Sequence, residues 1–174
     1  GSNSAGQLGL GNAKGFGRPT RVNLPQIVRH IAVGSTHVLT LDDDGNVMAW
    51  GSNQFGQLGQ YQSRYSMRPV LIQLPEKVSA IAAGSHFSLA LSVTGTVYAW
   101  GWNGFGQLGL DDVAPRNIPT RIPALSSIKS IAAGEFSVVA LGKNYLYGWG
   151  CNESGQIGRA AQKQVVPYPF WPIS

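Results

Sequence analysis

The sequence predicts an all-β protein made of β-propeller blades, with about three four-stranded antiparallel blades and a partial one. Three observations predict this class. One motif returns at a fixed spacing, 23 of the 174 residues are Gly, and only 12% of residues are charged while 43% are hydrophobic. Such a composition disfavours coiled coils and disordered chains, and favours short buried strands joined by tight turns.

The motif divides the chain into copies. A segment of the form Gly-x-Asn-x-x-Gly-Gln-(Leu/Ile)-Gly occupies residues 1–9, 51–59, 101–109 and 150–158. The segments between these copies stay in phase, since an Ile-Ala-(Val/Ala)-Gly sequence begins at Ile31, Ile81 and Ile131. We therefore expect one partial propeller over residues 1–174, with repeats at approximately 1–50, 51–100 and 101–149 and a partial repeat at 150–174.

Each repeat contains four short segments with strand character. In the first repeat we expect strands at residues 26–33, 36–41 and 47–50, and an outer strand at 19–24 that begins with a proline. The sequence Asp-Asp-Gly-Asn at 43–46 is typical of a hairpin turn. Four short antiparallel strands per repeat are typical of a propeller blade, which must pack against its neighbours to bury its faces.

Two positions test this alignment of the repeats. Trp50, Trp100 and Trp149 end the same strand in successive repeats, so we expect all three to be buried between blades. In the third repeat the hairpin is one residue shorter, and Asn144 stands where the others have Gly. Because Asn tolerates a positive φ better than other non-glycine residues, we expect a left-handed conformation there.

The motif resembles the regulator of chromosome condensation repeat. The resemblance rests on Ala-Trp-Gly-x-Asn-x-x-Gly-Gln-Leu-Gly, followed after about 30 residues by Ile-Ala-Ala-Gly and an alternating strand. It implies a seven-bladed propeller, of which this chain would be about half. Some members of that family exchange guanine nucleotide on Ran-like small GTPases at chromatin, and others are interaction domains. The family often has a His three residues after the strand Gly, a position occupied here by His37, Phe87 and Ser137.

The single cysteine excludes an intramolecular disulfide and favours a reducing compartment, so we expect an intracellular protein, nuclear or cytoplasmic. No apolar run approaches the ~18 residues of a membrane span, and we expect no membrane partner. The net charge is +5, but the 13 Lys and Arg are scattered. This leaves nucleic acid or a nucleosome open as a partner and favours a generic basic surface.

Motifs for catalysis, metals or cofactors do not emerge. Residues 9–15 superficially resemble a phosphate-binding loop but lack its Gly-Lys-Ser/Thr ending. The three histidines, His30, His37 and His86, fall on different predicted strands, and Cys151 has no paired base in the sequence. We therefore expect no catalytic residue, no metal site and no cofactor.

Positions that differ between repeats are free of the demands of the blade, and some carry side chains suited to binding. Trp102 replaces Ser52 and Cys151 in a connecting loop. Tyr61, Arg64, Tyr65 and Arg68 follow one another in another connection, and Tyr with Arg suits an acidic protein or a phosphate backbone. Packing on the next blade and a solvated loop are the respective alternatives. These five residues are the candidate interaction surface.

The sequence thus predicts a protein–protein interaction module. The alternative is a guanine-nucleotide exchange factor, or a fragment of one, for a Ran-like small GTPase, acting without catalytic side chains and associated with chromatin. An arc of blades leaves apolar faces open, so we also expect self-association or pairing with another propeller fragment. The segment 19–24 is the expected joining strand.

Overall fold

The computed structural model describes residues 1–61, 63–158 and 163–173, and the predicted all-β class is confirmed for them. The first sheet contains β1 (Val28–Val33), β2 (His37–Asp42), β3 (Val47–Ser52) and β4 (Tyr65–Ile72). The second contains β5 (Val78–Ala83), β6 (Phe87–Ser92), β7 (Val97–Gly101) and β8 (Arg116–Arg121). The third contains β9 (Ser130–Ala133), β10 (Ser137–Leu141), β11 (Tyr145–Cys151) and β12 (Lys163–Pro172). Across these ranges no helix has the length and apolarity to cross a membrane.

Each sheet is an antiparallel meander in which consecutive strands are neighbours. The first strands of the three sheets, β1, β5 and β9, lie next to one another and form the inner side of the arc. The turns that follow these strands are joined in series, because Ser35 N donates to Ser85 O at 3.1 Å and Ser85 N donates to Glu135 O at 2.9 Å. The three sheets are therefore blades arranged around a common inner edge.

The core lies between neighbouring blades. One apolar cluster joins the first blade to the second, and the other joins the second blade to the third. Trp100 and Trp149 are fully buried and Trp50 is 5% exposed, which confirms the burial predicted from their shared position. Each indole Nε1 donates at 2.9 Å to the carbonyl of the motif glutamine in the preceding copy, at Gln7, Gln57 and Gln107 respectively.

The repeated motif forms a loop that packs against the neighbouring blade. The Asn53 side chain donates to Gln60 O and Ser63 O and accepts from Leu58 N, which fixes the loop, and Asn3 and Asn103 make equivalent bonds. Gly56 has a φ of +81°, and a Cβ there would lie 2.7 Å from the Cα of Asn117 on the outer strand of the next blade. The motif glycines are thus set by a left-handed turn and a close backbone approach.

The predicted outer strand at 19–24 is wrong, because no strand is present among residues 1–27. Among the described residues that precede this segment, none forms the third strand with which an outer strand would pair. The equivalent prolines, Pro69 and Pro119, do lie in strands β4 and β8, each beside a partner. The left-handed conformation expected at Asn144 is also wrong, because the shorter hairpin closes from Gly142 N to Tyr145 O at 2.9 Å and needs no positive φ at Asn144.

The two outward faces of the arc are apolar and open. Ile31 on β1 is 62% exposed, whereas Ile81 and Ile131 pack against the blade before them. Leu141 on β10 is 37% exposed, whereas its counterparts Leu41 and Leu91 are buried by the blade after them. At the internal interfaces a neighbouring blade covers the corresponding positions.

Candidate interaction site

Two repeat positions meet at one end of every blade. The residue directly before the second strand contributes a carbonyl, and the residue at or directly after the end of the third strand donates to it. These pairs are Ser52 N to Thr36 O at 2.8 Å, Trp102 N to His86 O at 2.9 Å, and Cys151 N to Phe136 O at 2.8 Å. The backbone is the same in all three blades, so the side chains at these positions are free to differ.

Aromatic rings from the motif loops stack on these pairs. Phe55, in the loop between β3 and β4, lies with its ring centroid 5.3 Å from that of His86 and 6.3 Å from that of Trp102. Phe105, in the equivalent loop between β7 and β8, lies 5.5 Å from Trp102 and 5.4 Å from Phe136. Trp102 and Phe136 are 5.3 Å apart in an edge-on arrangement. We call these five rings, from Phe55 to Phe136, the aromatic rim.

A cleft opens beside the aromatic rim at the first blade. Ala5 stands where the next loops have Phe55 and Phe105, and it meets the small residues Thr36 and Ser52. The space of about 380 Å³ left there is also lined by Phe55, His86, Arg64 and Tyr65, with Ser4 and Gln54. We call this space the rim cleft. It exists because small side chains occupy positions that the following interfaces fill with rings.

The charge at the rim cleft is positive. Arg64 is the cation that lines it, no acidic residue does, and the Arg64 side chain makes no ion pair with any described residue. Burial lowers the pKa of His86, and the nearby Glu135 carboxylate opposes this only in part. The His86 ring is therefore neutral at physiological pH and acts as part of the aromatic surface.

The five sequence candidates fall into three places. Trp102 lies in the aromatic rim, and Arg64 and Tyr65 line the adjoining rim cleft, so these three share one surface. Tyr61 instead lines a groove on the outer side between the first two blades. Arg68 lines a different outer groove beside the N-terminal segment. Sequence reasoning missed Phe55, His86, Phe105 and Phe136, although the variation at these positions between repeats was a usable signal.

The buried His37 belongs to the interface between the first two blades. Its Nε2 lies 2.9 Å from Ser88 Oγ, and Ser88 Oγ donates to Gln57 O at 2.8 Å. Since the serine hydrogen is used by Gln57, the hydrogen-bond network assigns the imidazole proton to Nε2. Burial, with a smaller contribution from His86, lowers the pKa of His37 to about 4. His37 is therefore a neutral packing residue.

The repeats, the blade geometry and the motif bonds define an RCC1-type propeller. The family model of the regulator of chromosome condensation (RCC1) repeat matches residues 1–41, 44–91 and 94–141. A second model of the same repeat matches residues 28–57 and 78–107. The chain belongs to the RCC1 repeat family.

Solved structures of family members have the same fold. The chain is similar to yeast RCC1 (Prp20), solved bound to Kap60, with 28% identity, a TM-score of 0.86 and coverage of 98% of this chain and 43% of the other. Human WBSCR16 gives 27% identity, a TM-score of 0.86 and coverages of 98% and 47%. A further structure of Prp20p from Saccharomyces cerevisiae, described with its binding properties to Gsp1p and histones, gives 30% identity and a TM-score of 0.73. The match covers 83% of this chain and 38% of the other. The chain thus spans less than half the length of these proteins.

Proposed function

We propose that this chain is a protein-binding module whose contact surface is the aromatic rim together with the rim cleft. The observation that carries the proposal is the contrast between repeats. The same backbone accepts the small residues Ala5, Thr36 and Ser52 around the rim cleft, so the fold does not require rings at the corresponding positions of the aromatic rim. Half-exposed rings that the scaffold does not need are typical of binding surfaces.

The chemistry of the site favours a particular kind of contact. Trp, Tyr and Arg are the residues most enriched at the energetic centres of protein interfaces, and Trp102, Tyr65 and Arg64 bring one of each to this surface. The rim cleft would receive an apolar side chain between Phe55 and Tyr65, and the Arg64 guanidinium would pair with a neighbouring carboxylate. The partner we propose is therefore a protein segment with an apolar and an acidic residue close together, met in the nucleus or cytoplasm.

The test exchanges residues that the chain already uses at equivalent positions. Phe55→Ala, Trp102→Ser and Phe105→Ser install the residues of Ala5, Ser52 and Ser154, which the same backbone already carries. Affinity capture from cells of the source species, followed by mass spectrometry, compares the wild-type chain, this triple variant and Tyr61→Ser. We expect partners that are kept by Tyr61→Ser and lost by the triple variant. Partners kept by the folded triple variant would refute the assignment of the surface.

A second candidate function is guanine-nucleotide exchange on a small GTPase. The similarity to Prp20p, a protein described with binding properties to Gsp1p and histones, favours keeping it. A propeller surface that binds the nucleotide-free GTPase more tightly than the loaded form would speed nucleotide release without a catalytic side chain. Release of a fluorescent nucleotide from a panel of small GTPases tests this, and rates unchanged by the chain would exclude exchange activity of these residues.

The similarity to Prp20p also keeps chromatin binding as an alternative. Contact through scattered basic loops would be dominated by phosphate neutralisation, so the affinity for DNA or nucleosomes would fall steeply with salt. Binding to nucleosomes that survives the aromatic-rim triple variant and follows this salt dependence would favour that reading over the protein-binding one.

A further inference from the structure

Neighbouring blades are separated on their outer side by grooves that correspond from one interface to the next. The register of the outer strands establishes the correspondence. A Cβ on Gly6 would lie 2.7 Å from the Cα of Met67, and a Cβ on Gly56 would lie 2.7 Å from the Cα of Asn117. Arg68 is therefore equivalent to Ile118. By the repeat spacing, Gly11 is equivalent to Tyr61, and Arg21 to Leu71.

The groove between the first and second blades is apolar. It has a volume of about 640 Å³ and is lined by Tyr61, Leu71, Ile118 and Pro119, with Gly59, Gln60, Gln73, Leu74 and Pro75. The side chains of Tyr61, Leu71 and Ile118 are 74%, 50% and 44% exposed.

The groove between the N-terminal segment and the first blade has the opposite chemistry. It has a volume of about 350 Å³ and is lined by Arg21, Arg68, Asn23 and Met48, with Gly9, Leu10, Pro25 and Pro69. The apolar pair of the other groove is thus replaced by two arginines. Gly11 takes the place of the tyrosine, and the Arg68 side chain packs over its backbone, where a Cβ would lie 2.8 Å from Arg68 Nε. We call this site the arginine groove.

Both guanidinium groups lack partners in the part of the chain that the structure describes. Neither Arg21 nor Arg68 donates a side-chain hydrogen bond or forms an ion pair there, and no acidic residue lines the groove. Arg116, by contrast, is paired with Asp112 at 2.6 Å. Two like charges held in one concave site repel each other unless an anion joins them, so the site is complementary to negative charge.

We propose that the arginine groove binds an acidic peptide segment of a protein partner, at a site separate from the aromatic rim. The two guanidinium groups would hold a carboxylate through charge-assisted hydrogen bonds, and the Asn23 amide adds a further polar group. The apolar side chains of Leu10, Pro25, Met48 and Pro69 would cover an apolar residue next to that carboxylate.

The lining favours peptide over nucleic acid. Single-stranded nucleic acid is held by aromatic side chains on which bases stack, along a groove of positive charge that follows the backbone. No aromatic residue lines the arginine groove, and its positive charge is confined to one pair of arginines. A peptide with a carboxylate next to an apolar residue would contact both the two arginines and the apolar side chains of the lining.

The experiment uses random short peptides displayed on phage and selected on the wild-type chain, with counter-selection on Arg21→Leu/Arg68→Ile. This double variant installs the residues of the apolar groove, so the scaffold already accommodates both. Circular dichroism and the thermal midpoint verify that it folds. The strongest peptides are then measured against the wild type, the double variant and Arg121→Leu, which removes the arginine that β8 of the second blade carries at the equivalent position.

We expect the selected peptides to be enriched in Asp or Glu beside an apolar residue. Their affinity should fall by at least about tenfold in the double variant, stay unchanged in Arg121→Leu, and weaken with salt as the arginines are screened. The reverse exchange, Leu71→Arg/Ile118→Arg with Tyr61→Gly, should create a second site for the same peptides.

Either of two results would overturn the proposal. Selected peptides without acidic enrichment would show that the arginine pair does not define the ligand. Single-stranded DNA that binds more tightly than the best peptide, and that is lost in the double variant, would assign the groove to phosphate instead. The aromatic-rim variants leave the arginine groove intact and serve as folded controls, so failure here is distinguishable from failure of the rim proposal.

Discussion

Replacing His37 with Phe should remove a pH dependence from the stability of the first blade interface. Phe87 occupies the equivalent position at the next interface, where its ring lies over Gly84 as the His37 ring lies over Gly34. The substitution therefore installs a ring that the same backbone already holds. Ser88 keeps its hydrogen bond to Gln57 O in the variant, so no buried hydroxyl loses its acceptor.

The magnitude follows from the difference between the folded and unfolded pKa of His37. The pKa is lowered from 6.5 to about 4 by burial, so the unfolded chain binds the proton more tightly than the folded one. The free energy of unfolding is therefore not reduced by His37 above the pKa of the unfolded chain, and it decreases as the pH falls from that value toward the pKa of the folded chain. The loss reaches about 2 kcal/mol at about pH 5 and about 3 kcal/mol at about pH 4.

Urea denaturation followed by tryptophan fluorescence measures this loss at neutral pH and at about pH 5, a range above the lowered pKa values of Asp42 and Asp112. The wild type should lose about 2 kcal/mol over this range and His37→Phe much less. His30→Phe alters an exposed histidine on β1 and is the control that keeps the wild-type profile. If His37→Phe loses as much stability as the wild type, His37 is not the group that couples stability to pH.

Three further predictions concern the scaffold. Trp100→Ala should cost about 3–5 kcal/mol of unfolding free energy, since the ring is fully buried and bonded to Gln57 O; a cost below about 1 kcal/mol in urea denaturation would contradict the blade packing. Gly56→Ala should destabilise the chain because of its positive φ and close contact with Asn117, whereas Gly17→Ala, with nothing within 4 Å of its Cβ, should not, as thermal midpoints will show. The isolated chain should self-associate or pair with another propeller fragment at micromolar concentration through its open faces, and Leu141→Lys should reduce this; light scattering that finds only monomer in the wild type would refute it.

The sequence predicted the blade well because the evidence for it is local and repeated. The strands at 26–33, 36–41 and 47–50 correspond to β1, β2 and β3, and the buried tryptophans follow from their phase. The strand expected at 19–24 failed because an outer strand depends on its neighbour. Prolines that suit an edge position stand at Pro19, Pro69 and Pro119, and among the described residues Pro69 and Pro119 have a third strand beside them whereas Pro19 does not.

The candidate site was predicted only in part, for a geometric reason. Residues that are close in sequence diverge in an extended chain, because each residue of a strand advances ~3.3 Å and residues four apart are therefore separated by ~13 Å. Arg64 and Arg68 flank the first residues of β4 and reach different sites. Conversely, Arg21 and Arg68 come from different repeats, and their meeting depends on how blades pack, which periodicity alone does not specify.

Each blade takes its outer strand from the sequence copy that follows it, as β4 shows by lying after the motif at 51–59. The blades are thus offset from the sequence repeats, and a truncation at a sequence repeat boundary removes the outer strand of the preceding blade. Truncations for expression should fall between blades instead, in the connections at 73–77 or 122–129. Because the repeats share one period, duplication or deletion of a segment one whole period long adds or removes one blade. The remaining blades keep their strand order wherever the breakpoints fall.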